Sequence, residues 1–295
     1  MRNLLVISII CVLFSCKEEP KNTKLAGTVF GTSYSIIYDS DVNYETKIDS
    51  LFYMINKSMS TYQANSDISK LNRNESFEID EHFKKVYDAS KEIFGQTEGA
   101  FDPSIGNVVN AWKFGAEHTI DVIDSLKIDS LMQYVGYDKT YRHENTIRKS
   151  NPNVYIEFNA IAKGYAVDVI GEFLESQKVN NYLIEIGGEI RVKGINSEKQ
   201  SNWKVGVEEP NFEGKQSILK AITLQDEAMA TSGTYRKFKV DENGNRYAHI
   251  IDAETGYPSK TNLLSISVIA NDCMTADAYA TAFKSMGIDK VKTFL

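Results

Sequence analysis

The chain has 295 residues, of which 42% are hydrophobic and 25% charged, enough to bury a large core as one big domain or two closely joined ones. Its formal charge of −7 argues against a nucleic-acid surface, so an anionic ligand would need a local basic pocket rather than a general field.

Residues 1–15 stand apart. Arg2 gives a short positive start, and Leu4–Phe14 is almost wholly apolar but too short to span a bilayer comfortably. The run ends Ser15-Cys16 and is followed by the polar Lys17-Glu18-Glu19-Pro20, which resembles a bacterial lipoprotein signal. That resemblance implies lipidation at Cys16 and a chain anchored to a membrane rather than spanning it, in the cell envelope and facing the periplasm. The alternative is an ordinary secretory signal with an incidental cysteine. Of the other cysteines, Cys11 lies in the signal and Cys273 is alone, so Cys273 reads as a small core residue.

Residues 16–26 are polar and read as a tether, leaving 27–295 as a single large domain. Thr28–Tyr38 alternates as a strand in which Gly31 allows a bend. Lys47–Met59 is an amphipathic helix with Ile48, Leu51, Phe52 and Ile55 on one side, and a second helix runs from His82 to Phe94. The glycine-punctuated Gly99–Gly115 lacks a clean period, as segments lining a site often do, and Ile120–Tyr137 reads as an acidic, peripheral helix. In Val154–Phe158 alternate apolar residues share a face, so a strand is expected there. Asn159 would cap the helix that follows, with Lys163 in its first turns. Tyr182–Gly194 reads as two strands joined at Gly187-Gly188. Further strands are expected at Trp203–Val207, Ile218–Leu224, Tyr235–Val240, Arg246–Ile251 and Leu264–Ala270, with turns at Thr231-Ser232-Gly233 and Glu242-Asn243-Gly244. Thr275–Met286 is the last clear helix. The mixed element order favours an α+β fold over a doubly wound sheet.

Two features carry chemistry. A helix start with a lysine, as at Lys163, suits phosphate. Asp277 and Thr281, four residues apart, put a carboxylate and a hydroxyl on one helix face, hard oxygens that suit Mg²⁺ better than zinc. On spacing alone, Lys163 also reads as a solvated lysine, and Asp277 with Thr281 as a surface acid and a packing threonine. The four histidines show no metal-ligand spacing, and no GxSxG elbow, P-loop or dinucleotide GxGxxG is present.

The segments MSTYQANSDISKLN, GAFDPSIGNVVNAWKFG, NAIAKGYAVD, IEIGGEIRVKG, TSGTYR, HIIDAETGYP and TADAYAT, in that order, resemble the ApbE family of flavin transferases, which move FMN from FAD onto a protein threonine. The resemblance covers roughly Gly27 to the end. It implies a T-fold-like arrangement of mixed sheets with packed helices. It also implies a Mg²⁺ site formed by the carbonyl of Ala160 with Asp277 and Thr281. FAD, the substrate, would be contacted by Phe30, Tyr62, the Ala100-Phe101-Asp102 run, Glu157, Lys163 and Ile251, with His249 and Thr231–Gly233 lining the same pocket. Asp277 and His249 are the candidates for a general base. The implied partner is an acceptor protein with a threonine flavinylation motif, a membrane electron-transfer subunit.

Three positions depart from the family pattern. Ala253 stands where the family often has proline, Ala280 stands where some relatives carry a further acid, and the pattern stops at Leu295 where relatives usually continue, which reads as an incomplete C-terminus. Two rival activities follow from the same resemblance: an FAD pyrophosphatase releasing FMN and AMP, and a non-catalytic FAD-binding lipoprotein. An asparagine at the position of Tyr62 accompanies hydrolysis in relatives, so the aromatic ring favours transfer.

Overall fold

The computed structural model describes residues 22–117, 123–215, 217–236, 238–240, 244, 246–261 and 263–295. The expected signal segment, Cys16 and most of the Glu242–Gly244 turn therefore lie outside the described residues. The chain begins with β1 (Asn22–Val29) and β2 (Thr32–Asp39), which pair antiparallel from Asn22↔Asp39 to Val29↔Thr32. The single bent strand expected over Thr28–Tyr38 is thus a hairpin, and residues 22–26 of the expected tether belong to its first strand. The reversal arises because Phe30 and Gly31 both take positive φ, 52° and 75°, the geometry of a primed two-residue turn. For a phenylalanine this conformation costs on the order of 1–2 kcal/mol.

Five helices follow, two of them only six residues long. In α1 (Glu45–Met59), Ile48, Phe52, Ile55 and Met59 are buried along one stripe. The short α2 (Asp67–Asn72) is capped by Ser66, which accepts from the Ser69 N–H, and α3 (Glu81–Gln96) by Asp80, which accepts from the Phe83 N–H. Within Gly99–Gly115 only α4 (Gly106–Ala111) is helical. The expected helix over 120–137 is shorter, α5 (Ser125–Met132), and its surroundings are less peripheral than expected because Ile128 and Tyr137 are fully buried.

The hairpin β3 (Thr140–His143) and β4 (Thr146–Lys149) leads to residues 150–161. Val154, Ile156 and Phe158 are buried as alternation predicts, yet no strand forms there, because only Tyr155 finds a bridge partner, Ile105. Other groups satisfy the backbone instead. The Asn72 side chain both donates to Ile156 C=O and accepts from Ile156 N–H, each at 2.8 Å, and Glu157 N–H donates to Pro103 C=O at 2.8 Å. Asn159 is not the helix cap either: α6 (Ala162–Ser176) begins after Ile161 without a side-chain cap, and Asn159 donates to Glu157 Oε2.

Next come β5 (Tyr182–Ile186) and β6 (Glu189–Lys193), turning at Gly187-Gly188 as expected, then β7 (Ile195–Asn196), β8 (Ser201–Glu208), β9 (Ile218–Leu224) and β10 (Ala228–Gly233). The expected Thr231–Gly233 turn is the end of β10. The hairpin β11 (Phe238–Val240) and β12 (Arg246–Ala248) is shorter than predicted on both sides. After β13 (Ser265–Ala270) come α7 (Cys273–Met286) and a further helix, α8 (Ile288–Phe294).

The main sheet has six strands in the order β1-β2-β5-β6-β10-β13, with every pairing antiparallel. Its two faces are read from the alternation in β5. Tyr182, Ile184 and Ile186 join the large core with α6, whereas Leu183 faces the β7-β8-β9 sheet through Trp203, Val205 and Leu224. Helices cover one face and a small sheet the other, which is the α+β arrangement expected.

Candidate active site

A cavity of about 1130 Å³ opens where α6, α7, the β5–β6 turn and the end of β10 converge. Every site residue expected within the described chain lines it: Phe30, Tyr62, Ala100–Asp102, Glu157, Ala160, Lys163, His249, Ile251, Asp277 and Thr281. Phe30 sits at the tip of the first hairpin, edge-on to Phe52 at 5.6 Å. Tyr62 is 62% exposed on the rim. Asp102 turns its carboxylate inward to Ser104 N–H and Oγ at 2.7 and 2.6 Å, so its neighbourhood is offered to the cavity by backbone and packing. His249 lies edge-on to Phe114, with ring centres 6.4 Å apart.

The floor is built by α6 crossing α7 closely. At Gly164 an added Cβ would lie 2.3 Å from the Cys273 carbonyl oxygen and 2.8 Å from Asp277 Cβ, so only glycine allows this approach. The Gly164 N–H donates to Asp277 Oδ2 at 3.0 Å. In a regular helix that N–H would reach back to the Ala160 carbonyl, which here belongs to a residue lining the cavity. Asp277 is only 4% exposed, and Thr281 shares a hydrogen bond of 3.1 Å with Ser232 Oγ. The start of α7 is pinned from outside: Asp168 accepts from Cys273 N–H at 3.0 Å, from Met274 N–H at 2.8 Å and from Arg191 Nη1 at 2.8 Å. Burial still pushes the Asp168 carboxyl up to about 6 against those three donors.

Sequence reasoning missed Glu189. It is 3% exposed and forms an ion pair with Lys163. The signal was present in strand parity, because Glu189, Arg191 and Lys193 share the face of β6 that lies under α6, where they pair with Lys163, Asp168 and Glu175. Burial alone would lower the Lys163 pKa, but the charges of Glu189 and Asp277 outweigh it and hold the ammonium above its ordinary value. Asp277 and Glu189 are both raised, chiefly by burial, with Lys163 opposing. When all three are ionised, two carboxylates face one ammonium, and the floor of the cavity carries an excess negative charge.

That donor set fits a hard divalent cation: one carboxylate, one hydroxyl and one main-chain carbonyl, all oxygen, beside uncompensated charge. Among the described residues no group of three His, Cys, Asp or Glu side chains is arranged to hold a metal.

The ApbE family model matches residues 30–295, nearly the whole described chain. The chain belongs to the ApbE family. It is 36% identical to an FAD:protein FMN transferase of Vibrio cholerae over 98% of this chain and 89% of that protein, and 36% identical to another of Haemophilus influenzae over 97% and 87%. The solved flavin transferase ApbE from Vibrio cholerae superposes with a TM-score of 0.84 at 34% identity, covering 93% of this chain and 90% of that one. The Pseudomonas stutzeri flavinyl transferase ApbE gives 0.82 at 26% identity, with 93% and 87% covered. The ApbE fold is therefore the fold of this chain.

Proposed function

We propose that this chain is an FAD:protein FMN transferase, moving FMN from FAD to a threonine hydroxyl of an acceptor protein and releasing AMP. One observation carries the reading: the cavity floor sets Asp277, Thr281 and Ala160 beside Lys163, with two carboxylates against one ammonium. A bare diphosphate would be repelled by that floor, and a divalent cation held there would remove the repulsion. The curated relatives named above carry the same activity in their names.

Mg²⁺ held by Asp277, Thr281 and the Ala160 carbonyl would, when bound, neutralise charge on the diphosphate and on the departing AMP phosphate. Lys163 and the start of α6 hold the phosphates against the floor, and Glu189 keeps the ammonium directed there. Phe30 and Tyr62 supply aromatic faces for the flavin or adenine rings. The acceptor hydroxyl oxygen forms a bond to the FMN phosphorus while the bond from that phosphorus to the AMP oxygen breaks. The hydroxyl proton passes to a base at the cavity, for which His249 and Asp277 are the candidates. Positioning and charge account for the rate.

Incubation with FAD, Mg²⁺ and a threonine-bearing acceptor should give an FMN-modified acceptor by mass spectrometry together with stoichiometric AMP. Rapid AMP release without acceptor would replace transfer by pyrophosphatase activity. FAD binding with no turnover under either condition would leave only a binding protein.

The apolar run Leu4–Phe14 and Ser15-Cys16 support a lipid anchor at Cys16 facing the periplasm, which would bring the enzyme near membrane electron-transfer subunits as acceptors. Among the described residues, no helix is long and apolar enough to cross a membrane.

A further inference from the structure

Lys149, the last residue of β4, donates through Nζ to four main-chain carbonyls: Leu71 at 3.1 Å, Asn72 at 3.3 Å, Pro152 at 3.0 Å and Val154 at 3.0 Å. An ammonium has three protons, so the four acceptors share them. No carboxylate among the described residues forms an ion pair with it. Burial pushes its pKa down to about 8.

The four carbonyls belong to two remote segments. Leu71 and Asn72 end α2, the helix that follows Tyr62 in the chain. Pro152 and Val154 open the extended segment that ends in Glu157, Asn159 and Ala160 on the cavity wall. The Asn72 side chain adds two bonds to Ile156 in the same segment. Because this segment has no sheet ladder beyond the single Tyr155–Ile105 bridge, these side chains take the place that neighbouring strands would fill.

We propose that Lys149, with Asn72, is a positioning residue for the nucleotide site, fixing where Glu157 and the Ala160 carbonyl stand relative to the Tyr62 segment. The inference rests on the flavin-nucleotide reading of the cavity. Lys91 supplies an internal comparison: its Nζ likewise donates to two carbonyls, Tyr137 at 2.6 Å and Thr140 at 3.0 Å, but it does not line the cavity or join its walls.

The test compares Lys149→Met, Lys149→Arg and Lys91→Met in the full chain, reading thermal midpoint and FAD affinity by flavin fluorescence with Mg²⁺ present, below every midpoint. Both Met variants should melt lower. Only Lys149→Met should weaken FAD binding, by about tenfold or more, and Lys149→Arg should recover most of it. Unchanged FAD affinity in Lys149→Met would overturn the inference and leave Lys149 a purely structural pin. If that variant does not fold, Asn72→Asp, which keeps the acceptor for Ile156 N–H and removes the donor to its carbonyl, decides by the same criterion. Wild-type protein that binds no FAD would instead overturn the functional reading, and the inference with it.

Discussion

Replacing Gly164 with alanine tests the floor of the cavity most directly. The new methyl carbon would meet Cys273 O at 2.3 Å, Cys273 C at 2.7 Å and Asp277 Cβ at 2.8 Å, whereas ordinary contact begins at 3.4 Å. Relief along the closest line needs a shift of 3.4 − 2.3, or 1.1 Å, between α6 and α7. Two of the three atoms are main chain, and the first turn of α7 is held by Asp168 and by the Asp272 cap, so no flexible side chain can absorb the shift. Overpacking of this kind costs about 1–3 kcal/mol, offset by the roughly 1 kcal/mol that alanine returns over glycine in a helix. The melting temperature should therefore fall by only a few degrees. Activity should suffer far more, because the shift breaks the Gly164–Asp277 hydrogen bond and moves the carboxylate, and a displacement near 1 Å can cost on the order of 10²-fold. Initial rates of FMN transfer, titrated with Mg²⁺ and compared with thermal melts, separate the two effects. A variant with wild-type rate and wild-type Mg²⁺ dependence would refute this account of the floor.

Asp277→Asn keeps the size of the side chain and its acceptor for the Gly164 N–H. It should retain the fold by circular dichroism while transfer falls by about 10²–10³-fold; retained activity would remove Asp277 from the metal site. Tyr62→Asn should raise AMP release in the absence of acceptor, measured by chromatography, at little cost in stability because the side chain is mostly exposed. Asp168 makes a pH prediction. Its folded pKa, raised to about 6, exceeds that of an unfolded aspartate, so its stabilising contribution is full below about pH 4 and is lost as pH rises to 6. The total is on the order of 3 kcal/mol. Denaturant midpoints of wild type should therefore fall relative to Asp168→Asn over that interval, and the opposite slope would mean that Arg191 and the two amides outweigh burial. Finally, Cys16→Ser should abolish radiolabelled palmitate incorporation and release the chain from membranes, and persistent labelling would exclude lipidation at that residue.

How much was legible in the sequence depended on the range of the interaction. Helices with a strong apolar stripe, such as α1 and α3, were found within a few residues of their ends, since periodicity and caps are local. The expected strand at Val154–Phe158 failed for a non-local reason. Its alternation was real and its apolar residues are buried, but strandhood needs a neighbour's backbone, and Asn72 and Lys149 supply side chains instead. Gly31 was read as a bend and proved to be half of a reversal, because nothing in a phenylalanine announces a left-handed φ at Phe30. In the site, residue type and spacing alone left Lys163 readable as a solvated lysine and Asp277 with Thr281 as a surface acid and a packing threonine. Only the family resemblance made them phosphate and metal candidates. Their convergence was not legible in spacing, since it is set by the crossing of α6 and α7. Glu189 escaped because a lone acid in a strand looks like any solvent-facing one until the helix above that face is known.

The burial of Cys273 has a consequence for durability. Its thiol is fully enclosed at the start of α7, and burial together with the nearby carboxylates raises its pKa well above the ordinary range. The thiolate, the form that attacks peroxide or a foreign disulfide, is thus suppressed both by access and by protonation. Flavins passing electrons to oxygen generate peroxide, and a protein that handles flavins is exposed to it. Among the described residues Cys273 is the only cysteine, so that part of the chain offers such chemistry no accessible sulfhydryl.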